Sequence, residues 1–328
     1  MILLVSYCSF TIRTPVLKGY LAGQHRLGWV KIGLAVRFAQ GLRLNVEPDP
    51  TVPLWQQEEQ RRVFWSVYLL DRFVSCCRLR PPSILDVDCT VLLPNNELSP
   101  QARSPTLAVI KDLPDVSVCK SLDHFAQLVL VASILGRIER YNLQQSAMKT
   151  SPPWDFRSDF AKISTMVLSF ETLLSIGDND LATLIRKYFG NEQAYEKPRI
   201  GHLIWSRGLY HLTCCLLHHP FFLYRHLEHH KEIFPRSFAL ASLRHCKEHA
   251  EKLTTILRFI HETDCCARGS FLGYLAVVAG SVHKLYEHSQ DMTQKARSGR
   301  LSQQCLDFLE QGPVCWGNYP RMVSSYAS

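Results

Sequence analysis

Apolar residues recur at three- and four-residue intervals along most of this chain, and that period predicts helices. Residues 24–42 place Leu27, Val30, Leu34 and Phe38 at helical spacing, and small residues over 33–40 suit the close approach of another helix. Pro48, Pro50 and Pro53 break the pattern. A long helix is expected over 55–77, with Glu58 and Glu59 near the positive end of its dipole. Pro81-Pro82 ends it, because a residue preceding proline is pushed out of the helical region.

Residues 83–94 read as extended and turn-like, and 95–115, with Pro100, Pro105 and Pro114, as a surface loop. Further helical periods cover 122–143, 156–176, 200–217, 238–260 and 270–288. A polar segment, 289–300, then leads to a short helix over 302–311. Residues 1–10 form a short apolar segment. No strand-like alternation of useful length and no internal repeat interrupts this order. The expected class is all-α, a multi-helix domain.

Composition narrows the function classes rather than the fold. At 328 residues, 46% hydrophobic and 20% charged, the chain is long enough for a sizeable core. The net charge of +8 comes from scattered basic residues with no run of four, so it reads as a solvated surface rather than a nucleic-acid track. The longest apolar stretches, 125–135 and 271–282, are too short to span a bilayer, and no membrane partner is expected.

Twelve cysteines include the adjacent pairs Cys76-Cys77, Cys214-Cys215 and Cys265-Cys266, but no C-x-x-C. Neighbours on a helix point to different faces, so buried reduced thiols are expected rather than bridges or zinc knuckles.

Two patterns invite metal chemistry. His245-Cys-Lys-Glu-His249 matches H-x-x-E-H, which puts His245 and His249 on one helical face with Glu248 as a possible base. The pattern is short, its usual α/β setting is missing, and Glu310 is a third ligand only by guesswork. Cys214/His218 and Cys215/His219 stand at i, i+4, with His229 and His230 beyond. A structural zinc needs four convergent ligands, which spacing alone does not supply. Core cysteines beside a histidine-rich turn are the plainer reading. Asp86 and Asp88, a carboxylate pair in an extended run without a nearby histidine, read as turn and capping residues.

Three blocks between Gly33 and Pro94 carry a resemblance. The first holds Ala35, Arg37 and Ala39, then Leu42-Arg43-Leu44. The second runs from Glu58 through Glu59, Arg62, Phe64 and Trp65 to Asp71-Arg72, and the third from Arg80-Pro81 through Ile84, Asp86, Asp88, Cys89, Val91 and Leu93 to Pro94. Their order and spacing resemble the fungal-specific transcription factor domain, the regulatory middle homology region of binuclear zinc-cluster transcription factors. Family members usually have Leu-Gly-Leu where this chain has Leu42-Arg43-Leu44, and Gly-Arg-Pro where it has Leu79-Arg80-Pro81. Gly41 is the expected substitute for the first missing glycine in ending the helix. Glu58 and Glu59 are both within pairing reach of Arg62. The signature residues Arg37, Glu59, Arg62, Trp65, Asp71, Arg72, Arg80, Pro81, Asp86 and Asp88 are assigned structural roles.

Later, residues 210–223, with His218-His219-Pro220, resemble a family helix ending in His-Arg-Pro, and Trp316 and Met322 resemble its closing tryptophan and methionine. The resemblance takes in most of 1–328 as one regulatory domain and is strongest over 27–94. It implies a non-enzymatic, nuclear protein that controls RNA polymerase II genes and receives signals from co-regulators or a small-molecule inducer. DNA contact is expected only through an amino-terminal six-cysteine zinc cluster. This sequence does not contain that cluster, and residues 1–10 resemble an internal family helix, so a truncated amino terminus is expected. Zinc is expected in that cluster alone and no cofactor in this chain. The dimerisation state is open. A zinc-dependent hydrolase and an orphan protein-interaction module are the competing readings.

Overall fold

The structure is a computed structural model. It describes residues 25–94, 110, 122–143, 151–173, 181, 183–185, 197–227, 235–263 and 271–310, with side chains from residue 28 in the first helix and from residue 200 in the fifth. Expectations for residues 1–10, 95–109 and 111–115, His229, His230, Cys265, Cys266, Trp316 and Met322, and for the Leu27 side chain, lie outside these residues. The elements are α1 (His25–Gly41), α2 (Leu54–Arg78), a single 3-10 turn (Asp86–Asp88), α3 (His124–Leu143), α4 (Asp159–Leu173), α5 (Lys197–His218), α6 (Pro220–Leu227), α7 (Arg236–Thr263), α8 (Phe271–Tyr286) and α9 (Met292–Glu310). No strand occurs among the described residues. The chain is all-α.

The described residues fall into two compact units, one up to Gly136 and the other from Arg137. In the first, α1 packs on α2. The face that α1 buries carries Ile32, Ala35, Val36 and Ala39, while Val30, Leu34 and Phe38 are exposed. The expected stripe is therefore not the core face. Ala35 and Ala39 let the two backbones approach, and the period alone does not separate two apolar faces of one helix. Along α2, Phe64, Trp65 and Tyr68 are all buried, with successive edge-to-face rings 4.9 and 5.2 Å apart.

Both helix ends in this unit close on a left-handed residue with a side chain. After α1, Arg43 N–H donates to the Gln40 carbonyl and Leu44 N–H to that of Ala39, and Arg43 takes φ 55°. After α2, Leu79 N–H reaches Cys76 and Arg80 N–H reaches Ser75, with Leu79 at φ 49°. These are Schellman closures, which glycine normally provides. They fall on the two positions where the family resemblance expects glycine. Gly41 does not take over the ending of α1; Arg43 does, in strained backbone.

In the second unit α5 and α7 pack closely, as do α8 with α7 and with α9. Cys215 and Cys246 sit at the α5–α7 crossing, and each thiol points to the other residue's backbone carbonyl. The described cysteines, Cys76, Cys77, Cys89, Cys214, Cys215, Cys246 and Cys305, are free thiols, and all but Cys77 are buried.

Two departures from the sequence expectation have local causes. The polar segment over 289–300 is helical from Met292, because the Asp291 carboxylate caps the Thr293 and Gln294 N–H groups. The buried face of α9 runs through Ser298, Ser302, Cys305 and Leu309, whose first members are small rather than apolar. The short helix α6, absent from the sequence reading, opens on Pro220, whose missing N–H is harmless in the first turn.

Candidate regulatory core

Four of the ten signature residues, Trp65, Asp71, Arg72 and Asp86, meet where the segment after α2 folds back along that helix. Asp71 begins the return. Its carboxylate accepts the N–H groups of Ser83, at 2.9 Å, and Ile84, also at 2.9 Å, just past Pro81-Pro82. Trp65 continues it by donating its indole N–H to the Leu92 carbonyl at 2.8 Å. From the loop after α1, Asn45 accepts the N–H groups of Thr90 and Val91, and Glu47 accepts that of Leu92 while pairing with Arg61. The N–H groups of Ser83, Ile84, Thr90, Val91 and Leu92 thus find acceptors on α2 or on the preceding loop rather than in a sheet.

Asp86 is the centre. It stands in the first position of the 3-10 turn, as a turn residue is expected to, and its side chain is buried. The Tyr68 hydroxyl donates to it at 2.7 Å, Arg72 Nη2 at 2.8 Å and the Ser133 hydroxyl at 2.6 Å. Arg72 is 1% exposed and also reaches Asp71 at 3.2 Å. Burial opposes the charge on Arg72, but the oxygens of Tyr68, Asp86 and Asp71 outweigh it and raise its pKa. Burial pushes the Tyr68 phenol well above its usual range, so it stays a donor. The Arg72 guanidinium lies 4.1 Å from the Tyr68 ring centroid. Such a buried pair fixes geometry, and breaking it leaves an uncompensated charge.

Gly136 completes the node from α3. A β-carbon there would stand 2.5 Å from Arg72 Nε and 2.9 Å from its Cδ. Ser133 and Gly136, three residues apart on one helical face, are the partners that the sequence reading missed. Their only signal is a pair of small residues in an otherwise large apolar run.

The other signature residues lie outside the node. Arg62 pairs with Glu58 at 2.9 Å, and Glu59 is half-buried. Arg37 is exposed and bonded to Gln40, and Arg80 lies 5.1 Å from the Trp29 ring. Pro81 is exposed, as is Asp88, whose backbone carbonyl accepts Asn45 Nδ2.

The second unit holds the histidines. His211 and His249, both buried, share an Nδ1–Nδ1 hydrogen bond of 2.8 Å, so one ring donates and the other accepts. Burial, then the neighbouring His249, Lys252 and Arg207, depress His211 well below its ordinary range. Burial, then His245 and Lys252, bring His249 to about 3. Nothing in this geometry supports the H-x-x-E-H reading: His249 bonds His211 through Nδ1, and Glu248 is exposed. Cys215 faces Cys246, and His218 packs edge-on against Phe160, whereas His219 reaches Ser281. Among the described residues no group of three or more His, Cys, Asp or Glu is placed to hold a metal ion.

The model of the fungal specific transcription factor domain matches residues 17–181, half of the chain, and covers the whole node. This protein belongs to that family. It is 28% identical over 141 residues to the citrinin biosynthesis transcriptional activator mrl3 of Monascus ruber, covering 40% of this chain and 28% of that protein. It is 23% identical over 357 residues to the Zn(2)-C6 fungal-type transcription factor FTF1c of Fusarium oxysporum f. sp. lycopersici, covering 97% of this chain and 36% of that protein. Thiamine repressible genes regulatory protein thi1 of Schizosaccharomyces pombe is 28% identical over 220 residues, 58% of this chain and 28% of its own length. The chain therefore spans only about a third or less of these relatives. No solved structure matches it.

Proposed function

We propose that this chain is the non-enzymatic regulatory part of a nuclear fungal transcription factor that acts on RNA polymerase II genes. The observation that carries the reading is the family match over 17–181, within which Asp71, Arg72 and Asp86 converge on one buried node. The relatives named as activators and regulators support the regulatory class. The node is a fixed hinge-pin between α2 and residues 83–94, and co-regulators or a small inducer act by favouring one arrangement of the helices around it. DNA recognition falls to a six-cysteine zinc cluster of the kind the FTF1c name states, and zinc is held there rather than in these residues.

The test joins residues 1–328 to an unrelated sequence-specific DNA-binding domain and reads a reporter gene. The reading expects output to differ from that of the DNA-binding domain alone, and the difference to vanish in Asp86→Asn. Equal output from a folded fusion refutes it. On its own the chain should bind DNA weakly, without sequence preference and less at higher salt. Sequence-specific, salt-insensitive binding would place the DNA contacts here instead.

A further inference from the structure

Between the end of α2 and the return segment, residues 78–84 read Arg-Leu-Arg-Pro-Pro-Ser-Ile. Ser83 is the only serine or threonine of the 328 residues with arginine both three and five positions before it. Arg78, Leu79, Arg80, Pro81 and Ser83 are exposed, and neither guanidinium is paired with a carboxylate among the described residues. The Ser83 hydroxyl has no hydrogen-bond partner there either; its N–H alone is engaged, 2.9 and 3.1 Å from the two Asp71 oxygens. After the Schellman closure, Pro81 and Pro82 have no N–H to tie the chain to α2. The Asp71 clamp is therefore the next polar tie, and it holds Ser83 and the buried Ile84.

We propose that Ser83 is a phosphorylation site for an arginine-directed serine/threonine kinase, and that the phosphate opens the Asp71 clamp. Kinases choose substrates by charge pattern, and two guanidiniums at this spacing offer forked donors to carboxylates lining an acidic substrate groove. In the transfer, Ser83 Oγ bonds to the γ-phosphorus of ATP, the bond from that phosphorus to the β–γ bridging oxygen breaks, and ADP leaves. The hydroxyl proton passes to the catalytic aspartate of the kinase. Ile84 has to leave its buried place for the groove to take the residue after the acceptor, so the kinase acts when the clamp opens locally. The product adds a charge of about −1.5 to −2 on the residue whose N–H the Asp71 carboxylate accepts. Repulsion from Asp71 and attraction to Arg78 and Arg80 then both favour the open segment. This site goes beyond the regulatory reading, and the test below reads phosphate and amide exchange alone, so its failure leaves the family assignment standing.

The full chain is incubated with ATP and a purified kinase that requires arginine three and five residues before its acceptor. Mass spectrometry is expected to place phosphate on Ser83, and Ser83→Ala to remove it. Arg78→Gln with Arg80→Gln, both at exposed positions, is expected to slow incorporation about tenfold or more with unchanged circular dichroism. Hydrogen exchange of the Ser83 and Ile84 N–H groups is expected to be faster in the phosphorylated chain than in the parent. No phosphate on Ser83, or equal rates for the parent and the arginine variant, overturns the site. So does labelling of a synthetic peptide of residues 76–88 but not of the folded chain. Unchanged exchange at the two amides after phosphorylation overturns the opening of the clamp.

Discussion

Replacing Arg43 by glycine should stabilise the protein, although it removes a charged side chain and creates no contact. Arg43 holds φ 55° at the end of α1, and its side chain is exposed. Left-handed backbone costs a residue with a β-carbon about 1–2 kcal/mol. Glycine's extra freedom in the unfolded chain takes back about 0.5–1 kcal/mol. The expected net gain is therefore about 0.5–1 kcal/mol. Two companion variants separate this cause from others. Arg43→Ala keeps the β-carbon and should gain nothing. Gly41→Ala has open space around the new methyl group and no left-handed backbone to strain, so it should be neutral or better. Urea titration followed by circular dichroism measures all three against the parent chain. If Gly41→Ala costs more than about 1 kcal/mol while Arg43→Gly gains nothing, Gly41 rather than Arg43 ends the helix and the reasoning is wrong.

The other expectations concern the node and the histidines. Gly136→Ala, which would favour an exposed helix, should instead cost about 2–3 kcal/mol here, because the methyl group meets the pinned Arg72; equal or greater stability in urea would show that Arg72 moves freely. Asp86→Asn should cost about 3 kcal/mol, the low end for a broken buried pair, by removing the nearer carboxylate and leaving Arg72 only Asp71, whereas the exposed Asp88→Asn should stay within about 0.5 kcal/mol. Acid should also unfold the second unit before carboxylates titrate. Buried His211, His249 and His283 have depressed pKa values, the last two about 3 and about 4, so they fold neutral. The unfolded chain then binds more protons below the ordinary value near 6.5, and stability is lost as pH falls from there toward the folded values. One unit below it, each group removes about 1.4 kcal/mol, and a urea midpoint that does not move between neutral pH and that point would contradict this.

Much of the fold is legible in the sequence because helices declare themselves locally. Apolar period, Pro48–Pro53 and Pro81-Pro82 act within a few residues of where they stand, and the blocks around Trp65, Asp71 and Arg80 are enough to suggest the family. What the sequence leaves open is which of several candidates meets a distant partner. Val30, Leu34 and Phe38 have as strong a period as Ile32, Ala35, Val36 and Ala39, yet only the second set is buried, because small side chains admit α2 more closely. Asp86 and Asp88 look alike in a short extended run. The 3-10 turn sends one inward to Tyr68, Arg72 and Ser133 and leaves the other exposed. Ser298 and Ser302 look like solvent residues until α9 packs them away. Backbone preference and periodicity are properties of neighbours along the chain, so the sequence by itself determined the helices and their order. Burial and pairing are properties of neighbours in space, so only the tertiary structure decided which charges became the core and which apolar face stayed exposed.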